Sequence, residues 1–591
     1  MKKIILLAMV VYFLVAPFTY HPDTKLTLRY PSLGNGKVWD VYGYIDAHKL
    51  DIPDFHYPPA HFWWLKVHYP ISKFIGGSGF DQWLESGSAE ASFDVNSLRY
   101  NLAAKFPLLI LGLVSGWLIY RIVKKYCGNE KKALRAALIW YFNPITLFSL
   151  VVMGQNDIVA IILFLSGILC YERWGLAVLF WGLAAGVKTY PIIWVIMFLL
   201  AWEKSIYKLV LKFFGVMMVY GLILLPWIGK SYFTEAVLNS GLSQRMFVSN
   251  ISIGFGKEIM IVPLLLVVVA LKAVSNRFGK KLSFGCLMIM ESSLVILGFS
   301  HFNPQWLLWL SPFASIIFAT KKITKVEIIV GLLILMSWIG LTLGFDDKFL
   351  SWGLVAPISP NLINYPTISE FARNRVINIS GLINLCQSVL AGVAVWFLGQ
   401  KIKKDNVENK TKLDLPKWLI LLPWLLMILL VLFISSLQVI EKSPSGLSET
   451  RVPIEGIVSR EWVYDSVSSL KYFEIFLDNP GLNSKDIGTL VVSDSNGNTF
   501  EKEFSGFNAG ANTWLRVDVP LVMRNSETLK ISIQKVVVND GLLKIGMDQE
   551  NRLAVNLYGQ TSPELTDIWN KATHFWWWWM VVAGLSIVYW I

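Results

Sequence analysis

Residues 326–345 have the sequence VEIIVGLLILMSWIGLTLGF, in which Glu327 is the only charged side chain. A helix of about 20 such residues is about 30 Å long, which matches the hydrocarbon core of a bilayer. Similar apolar stretches recur along the chain, and those between residues 155 and 202 are short enough to suggest tilted or broken helices. We predict about fourteen transmembrane helices, near residues 4–20, 102–122, 134–153, 156–171, 174–188, 190–202, 209–228, 258–275, 283–300, 304–319, 326–345, 377–399, 416–437 and 573–591.

The composition supports a polytopic α-helical membrane protein. Of the 591 residues, 54% are hydrophobic and 16% are charged, whereas a soluble protein has about 25% charged residues. This excludes a disordered protein, a coiled coil and an ordinary soluble enzyme. The net charge is +12, but the basic residues form short clusters between apolar stretches, so we expect no nucleic-acid partner. The cysteines show neither CxxC nor Cys/His spacing, which argues against a disulfide scaffold and a zinc site.

The distribution of Lys and Arg predicts the orientation. If Lys2 and Lys3 are cytoplasmic, the cytoplasmic loops carry 23 Lys and Arg residues and the short outer loops carry 7, as the positive-inside rule requires. We interpret the first apolar stretch as an uncleaved anchor, because no A-x-A cleavage pattern follows it. Two long segments are then extracytoplasmic, residues 21–101 and about 441–567.

The second outer segment has the pattern of a β-sandwich. Runs such as 472–477 and 514–519 alternate apolar and polar residues, which is typical of strands with one buried face. Asn496-Gly497 favours a type I′ hairpin. We predict about eight strands in a jelly-roll-like domain, acting either as a cap or in sugar binding. The predicted domains are therefore 1–437 (membrane domain with the outer loop 21–101), 441–567 (β-sandwich) and 573–591 (last transmembrane helix).

The first outer loop contains a candidate general base. Asp40 lies in the stretch Trp39-Asp40-Val41-Tyr42, and Trp63 and Trp64 follow further on. An aspartate in an aromatic, partly dry pocket gains basicity through desolvation. Solvated loop carboxylates are the alternative reading, which we favour for Asp46, Asp51 and Asp54.

Four motifs occur in an order that resembles the GT-C superfamily of lipid-phosphosugar-dependent glycosyltransferases, and most closely the PIG-M-like mannosyltransferases and their prokaryotic relatives. They are Trp39-Asp40-Val41-Tyr42, His56-Tyr57-Pro58-Pro59, the Lys-x-Tyr-Pro element at 187–193 and the Phe-Asn…Gln-aromatic…Trp element at 302–309. The resemblance covers roughly residues 1–320. It implies a polyprenyl-phosphate donor, an inverting displacement and Asp40 as the base.

One position departs from that pattern. The motif is usually Asp-x-Asp, but its third position here is Tyr42, so a metal bridged by two carboxylates is not expected. The resemblance implies that no cofactor is required, although a divalent metal stays open.

Further polar residues at the outer ends of apolar stretches complete the predicted site. Lys188 and Arg245 are candidates for contact with the donor phosphate, because cations stabilise a leaving anion; Lys188 could instead snorkel to headgroups. Asp157 could alternatively cap a helix, and His301 could be structural. The other predicted substrate-binding residues are Tyr42, Asp46, His56, Tyr57, Gln155, Asn156, Tyr190, Asn303 and Gln305.

The sequence therefore favours a glycosyltransferase in the plasma membrane of a prokaryote, with its active site and β-domain extracytoplasmic. It would move mannose or glucose from a polyprenyl-phosphate carrier to a hydroxyl of a glycan, lipid or protein acceptor. The alternatives are a transporter or flippase for lipid-linked sugars and a polymerase or ligase of lipid-linked glycans. A transporter would place polar residues at the bilayer midplane, and a polymerase would favour an arginine-rich late outer loop.

Overall fold

The structure is a computed structural model. It describes residues 1–48, 55–239, 245–276, 281–373, 378–400, 417–436, 439–444, 447–457, 460–465, 470–479, 484–505, 513–523, 528–539, 541–561 and 565–590. Asp51 and Asp54 of the first outer loop lie outside these residues.

The chain forms two compact units. The first comprises Met1–Pro360, Pro366–Leu430 and Ile568–Ile591, and the second comprises Asn361–Tyr365 and Val431–Asp567. The first unit is helical except for a two-stranded hairpin, and the second is built from β-strands.

The α-helices are numbered here in chain order. They are α1 Lys2–Val15, α2 Pro22–Ser32, α3 Val41–His48, α4 Pro59–Gly76, α5 Phe80–Glu85, α6 Ser97–Cys127, α7 Glu130–Phe142, α8 Pro144–Thr146, α9 Asp157–Leu169, α10 Trp174–Val187, α11 Pro191–Trp202, α12 Ile206–Leu224, α13 Ser231–Phe233, α14 Ile261–Ser275, α15 Leu282–Phe299, α16 Ser311–Thr320, α17 Lys325–Gly344, α18 Ile368–Arg373, α19 Ile379–Gly399, α20 Leu421–Ser436, α21 Leu565–Thr573 and α22 Trp576–Trp590. The turns Leu147–Val152 and Thr234–Leu238 are π-helical, and Pro304–Trp309 is a 3₁₀-helix.

Among the described residues, five helices are long and apolar enough to cross a membrane, namely α6, α12, α15, α17 and α19. Two bent pairs raise the number to seven if each is one span: α1 with α2, bent by 85°, and α7 with α8, bent by 45°. The predicted count of fourteen is not confirmed. The apolar stretches between residues 155 and 202 form helices of 12 to 14 residues, which are about 20 Å long and too short for a 30 Å core. The apolar helices make the protein membrane-integral.

Lys105 on α6 joins the first bend to the end of the second broken helix. Its ammonium lies 2.6–3.2 Å from the carbonyl oxygens of Ala16, Thr19, Val151 and Val152 and from the hydroxyl of Thr19, which share its three N–H donors. These carbonyls lie where helical hydrogen bonding is interrupted, and buried carbonyls in such a place need donors from elsewhere. Lys105 therefore fixes the ends of the broken helices, one of which leads into the candidate site.

The hairpin of the first unit consists of β1 Asn250–Gly254 and β2 Lys257–Met260. The second unit contains β3 Val439–Pro444, β4 Leu447–Pro453, β5 Glu461–Asp465, β6 Leu470–Asp478, β7 Ile487–Asp494, β8 Thr499–Ser505, β9 Thr513–Asp518, β10 Thr528–Val537, β11 Lys544–Asp548 and β12 Val555–Thr561.

These strands form two antiparallel sheets that share one core. The four-stranded sheet has the order β5-β10-β7-β8, and the six-stranded sheet has the order β3-β12-β6-β11-β4, with β9 also paired to β6. Buried side chains of one sheet, such as Leu490 and Ile531, belong to the same cluster as Phe473 and Val555 of the other. The period-two pattern of the sequence thus corresponds to strands with one face in a common core. The jelly-roll connectivity stays a prediction.

The turn between β7 and β8 corrects one expectation. A type I′ turn needs positive φ at both central residues, but in this turn only Gly497 has a positive φ, of 85°. The carboxylate of Asp494 accepts hydrogen bonds from the backbone N–H groups of Asn496 and Asn498. Asp494 therefore stabilises a longer turn in which glycine occupies the left-handed position.

Candidate functional site

Asp157 is the centre of a buried polar cluster at the start of α9. Its side chain is 0% exposed, and one oxygen accepts a hydrogen bond from Lys188 Nζ at 2.7 Å. The other oxygen accepts one from Trp309 Nε1, also at 2.7 Å. Tyr190 stacks on Trp309 with 3.9 Å between ring centroids. We call Tyr57, Asn156, Asp157, Lys188, Tyr190 and Trp309 the Asp157 cluster.

A tight turn before α9 positions the cluster. Gly154 has φ of 69°, and a Cβ there would lie 2.6 Å from Thr24 Oγ1, so the left-handed conformation and the close approach of α2 both require glycine. Thr24 donates to the carbonyl of Met153 at 2.7 Å. The residues after this turn are held by α2 and α4: Gln155 donates to Asp23 at 3.1 Å, and Asn156 accepts from Trp64 at 3.0 Å.

Tyr57 and His61 form an aromatic wall beside the cluster. Their rings stack with 4.0 Å between centroids, and Lys188 Nζ lies 5.3 Å from the centroid of the Tyr57 ring, within the range of a cation–π contact. Burial raises the pKa of Tyr57, and the carboxylates of Asp23 and Asp157 raise it further. Burial lowers the pKa of His61, and Lys188 lowers it further. Tyr57 is therefore a neutral hydrogen-bonding group and His61 a neutral ring.

Asp40 precedes α3 and contacts a different cation. One carboxylate oxygen accepts from the backbone N–H of Gly43 at 2.8 Å, which caps α3. The other oxygen pairs with Lys230, whose ammonium also lies 4.7 Å from the centroid of the Trp227 ring. The side chain of Asp40 is 42% exposed and that of Lys230 is 38% exposed. Asp40 is thus both a helix cap and an accessible carboxylate.

The segment from Lys230 to Leu238 contacts the first outer loop, and these contacts were not predicted from the sequence. Besides the Asp40–Lys230 pair, Asp46 accepts from Ser231 at 3.3 Å and the ring nitrogen Nδ1 of His56 lies 3.0 Å from the carbonyl of Ala236. The only hint in the sequence is a lysine flanked by aromatic residues outside an apolar stretch. Nothing in the spacing indicates which of the distant carboxylates it meets.

Tyr42 connects α3, the helix that Asp40 caps, to the Asp157 cluster. Its side chain is fully buried, and its hydroxyl donates to the backbone carbonyl of Tyr57 at 2.6 Å. Its ring packs against Phe233 and Trp227 with centroids 4.9 and 5.1 Å apart. Burial raises the pKa of Tyr42, and the negative charge of Asp40 raises it further. Two contacts therefore separate the segment of Asp40 from Lys188, namely Tyr42 to the Tyr57 carbonyl and the Tyr57 ring to the ammonium.

His301, Asn303 and Arg245 form a third group. Burial lowers the pKa of His301, and the guanidinium of Arg245 lowers it further, while a hydrogen bond with the Asn303 side chain raises it. Gln305 is half-buried in the 3₁₀-helix Pro304–Trp309, which also places Trp309 against Asp157. The structure thus links the 302–309 motif to the cluster through Trp309. No role was predicted for this residue from the sequence.

Two expectations about the surroundings are corrected. Trp39 is 66% exposed and Trp63 is 38% exposed, so neither encloses Asp40; Trp64 instead holds Asn156. Asp157 does not cap α9 with its side chain: the N-cap residue is Asn156, without a side-chain cap bond. The reason is that the Asp157 carboxylate is occupied by Lys188 and Trp309. Among the described residues, no group of three or more His, Cys, Asp or Glu side chains is placed to hold a metal ion.

Comparison with known proteins gives a match to a family model. The model of glycosyltransferase family 87 matches residues 96–297, a stretch that contains Asp157, Lys188, Lys230 and Arg245 and leaves out Asp40, His301 and the β-unit. No curated protein and no solved structure matches the chain. The match is consistent with a GT-C-type enzyme and does not confirm the PIG-M-like subtype. Over residues 96–297 the chain is similar to glycosyltransferase family 87, and this similarity indicates glycosyltransferase activity.

Proposed function

We propose that the protein transfers a hexose, mannose or glucose, from a polyprenyl-phosphate carrier to an acceptor hydroxyl at the extracytoplasmic face of a prokaryotic plasma membrane. The match to glycosyltransferase family 87 supports the transferase class. The apolar helices support a donor with a lipid chain, because such a chain stays in the bilayer that these helices would cross. The order of motifs from residue 39 to 309 supports a PIG-M-like enzyme acting by inversion.

Asp40 is the general base of this proposal. A base must reach the acceptor hydroxyl within hydrogen-bonding distance, and 42% of the Asp40 side chain is exposed. Asp157 is the competing carboxylate, but it is fully enclosed and both of its oxygens already accept hydrogen bonds. Asp157 therefore fits the role of positioning Lys188, and Asp40 fits that of proton acceptor.

The cations of the site neutralise the departing phosphate. Asp40 takes the proton of the acceptor hydroxyl. The hydroxyl oxygen then bonds to the anomeric carbon of the donor, and the bond from that carbon to the carrier phosphate breaks. An ammonium has three N–H donors, so Lys188 keeps donors for the phosphate while it is paired with Asp157. Arg245 offers a guanidinium fork for phosphate oxygens. Lys230 is a third candidate, since it lies beside the base and is 38% exposed.

The remaining polar residues form the sugar and acceptor pockets of the proposed site. They are Tyr42, Asp46, His56, Tyr57, Gln155, Asn156, Tyr190, His301, Asn303 and Gln305. The observation that carries the proposal is the position of Tyr57, which accepts a hydrogen bond from Tyr42 and lies over Lys188. It joins the loop of the base to the cation that would meet the donor phosphate.

The test is a transfer assay with the protein in nanodiscs, radiolabelled polyprenyl-phosphate mannose or glucose, and candidate acceptors. Asn is as good an N-cap as Asp, so Asp40→Asn keeps the α3 cap while it removes the base and the charge that pairs with Lys230. We expect the transfer rate to fall by about 10²–10⁴-fold. We expect no loss for Asp81→Asn, which changes an exposed carboxylate paired with Lys73 in the same outer segment.

Two results would contradict the proposal. One is full transfer by a folded Asp40→Asn protein, which would exclude Asp40 as the base. The other is movement of the labelled lipid across the bilayer of proteoliposomes that contain the protein, without release of sugar, which would indicate a transporter. Because the proposed reaction uses no metal, we expect EDTA to leave the rate unchanged.

A further inference from the structure

A cavity lies within the helical unit, at the end of the helices that carries the basic loops. It has a volume of about 530 Å³, within the range of sites that hold a ligand of drug size. Its walls come from α7, α15, α16, α17 and α19. Most of the lining is apolar and includes Phe284, Met290, Phe318 and Trp396.

The charged groups of the cavity lie at its rim. Asn276 follows the end of α14, Lys281 precedes α15, Lys321 follows α16 and Gln400 follows α19, while Glu327 lies in the first turn of α17. These helix ends all lie on the same side. Lys321 pairs with Glu327 at 2.8 Å, and these two charges cancel. Because Lys281 adds a second lysine, the lining has a net positive charge.

The floor of the cavity needs no polar ligand. Asn143 Nδ2 donates to Ser311 Oγ at 2.9 Å, and the hydroxyls of Thr146 and Ser311 lie 2.7 Å apart. These groups therefore satisfy one another. A molecule that fits the cavity has one anionic polar end at the rim and an apolar body below it.

The depth of the cavity corresponds to one leaflet. Helix α16 runs from Ser311 at the floor to Thr320 beside the rim, which is ten residues or about 15 Å. This is half of the 30 Å hydrocarbon core. An acyl chain that starts at the rim would end at the level of Ser311.

We propose that this cavity binds one anionic glycerophospholipid of the leaflet at the basic end, with its phosphate at Lys281 and Lys321 and an acyl chain along α16 and α17. Charge complementarity selects an anionic headgroup over a zwitterionic one. The site is separate from the Asp157 cluster, and its occupancy does not depend on the transfer reaction.

The measurement is native mass spectrometry of the full-length protein in detergent, titrated with phosphatidylglycerol or phosphatidylcholine. We expect one phosphatidylglycerol to be retained, and phosphatidylcholine to be bound about tenfold more weakly. Replacing both rim lysines (Lys281→Gln with Lys321→Gln) should abolish this preference. Lys322→Gln is the matched control, because Lys322 lies in the same loop and does not line the cavity.

A second pair of variants tests the apolar part. A Cβ at Gly331 would have only Phe318 within 4.0 Å, so Gly331→Leu fills the cavity without a backbone clash. Gly392→Leu is its control, because nothing lies within 4 Å of that position. We expect Gly331→Leu to lose the bound lipid and Gly392→Leu to keep it. If Gly331→Leu lowers the melting temperature, Ala314→Leu on the facing helix replaces it.

The proposal is overturned if the two lipids bind equally, or if both filling variants retain phosphatidylglycerol as the control does. Wild-type protein that binds neither lipid also overturns it. Transfer activity does not enter these readouts, so failure of the proposed function and failure of the lipid site are distinguishable.

Discussion

Asp157 and Lys188 form an ion pair whose carboxylate is fully enclosed. Removing one partner of a buried pair leaves an uncompensated charge. We therefore expect Lys188→Met to lower the free energy of unfolding by about 3–5 kcal/mol, measured by thermal or denaturant unfolding in detergent. The double variant with Asp157→Asn should recover much of this loss. A Lys188→Met protein as stable as wild type would show that Asp157 is not held as a buried carboxylate.

The Asp40–Lys230 pair should behave in the opposite way. Both side chains are more than one-third exposed, and exposed pairs contribute about 0–1 kcal/mol. We expect Lys230→Met to leave the melting temperature nearly unchanged and to lower the transfer rate at least about tenfold, because a cation at the leaving phosphate is lost. Lys73→Met, at the exposed pair with Asp81, should change neither quantity. Equal activity of the two variants would remove Lys230 from the mechanism.

His68 on α4 should make stability depend on pH. Burial lowers the pKa of His68 to about 4, although a hydrogen bond with the Ala104 carbonyl opposes the shift. Between its usual pKa of about 6.5 and 4, the unfolded chain binds a proton that the folded protein does not. The free energy of unfolding that depends on a neutral His68 is therefore fully present above pH 6.5. It falls by about 3 kcal/mol as the pH decreases towards 4.

Melting temperatures measured from pH 7 to pH 4.5 check this expectation. The decline should be shallower in His68→Gln, which removes the titrating ring. It should be unchanged in His48→Gln, because His48 is exposed. Identical pH profiles for wild type and His68→Gln would show that His68 does not determine the decline.

The residues of the site differ in how far the sequence reveals them. Gln155, Asn156, Asp157, Lys188 and Tyr190 stand at the ends of apolar stretches, where a polar group needs a partner, and the structure brings them together. The pairing of Asp40 with Lys230 spans 190 residues, and no local pattern encodes it. The role of Trp309 was not predictable, because a tryptophan near a membrane is usually an interface residue.

At the scale of elements, the turn at Gly154 decides where the polar residues of α9 lie. Gly154→Ala would place a methyl group 2.6 Å from Thr24 Oγ1 in a left-handed conformation. Gly128 has nearly the same φ, 64°, but nothing lies within 4 Å of a Cβ there. Both alanine variants should lose about 1–2 kcal/mol from backbone strain, and Gly154→Ala should lose more.

Unfolding in detergent measures the difference between these two variants. The additional loss of stability in Gly154→Ala measures the close contact with α2. This variant should also have a lower transfer rate, because Gln155 and Asp157 shift. Equal melting temperatures for the two variants would show that α2 accommodates the added methyl group without loss of stability.

The helices illustrate what apolar length can and cannot predict. The stretch 326–345 is a single helix, and the capping box of Thr324 and Glu327 starts it. The predicted span 134–153 is instead α7, α8 and a π-turn with a bend of 45°. Pro144 makes a break there understandable, since the residue before proline disfavours helix. At the break, the Asn143 side chain accepts from the N–H of Thr146 and donates to the carbonyl of Ile139, which are contacts that hydropathy alone does not predict.

At the scale of the whole molecule, composition separates the two units. The helical unit follows from apolar stretches, and the β-unit from period-two alternation after residue 456. The sheet order was not predictable, because β10 pairs with β5 and β7 through contacts far apart in sequence. The alternation defines which face of a strand is buried, and only packing of the complete core selects its neighbours.

The orientation of the chain is the expectation on which the proposed donor depends. With 23 Lys and Arg residues in one set of loops and 7 in the other, the end of α6 at Cys127 should be cytoplasmic and the β7–β8 turn extracytoplasmic. Cys127 is exposed, so it reports its side directly when Cys170, Cys286 and Cys386 are replaced by serine. In intact cells, a membrane-impermeant maleimide should leave this protein unlabelled and should label it after permeabilisation.

A second protein, with Gly497→Cys in the β7–β8 turn and all four native cysteines replaced, should be labelled in intact cells, because nothing lies within 4 Å of a Cβ at that position. The opposite pattern would place Asp40 and Lys188 on the cytoplasmic side, where nucleotide sugars are available. A polyprenyl-phosphate donor would then lose its physical basis, whereas the contacts of the Asp157 cluster would be unaffected. The labelling pattern therefore decides the class of donor independently of any assay of transfer.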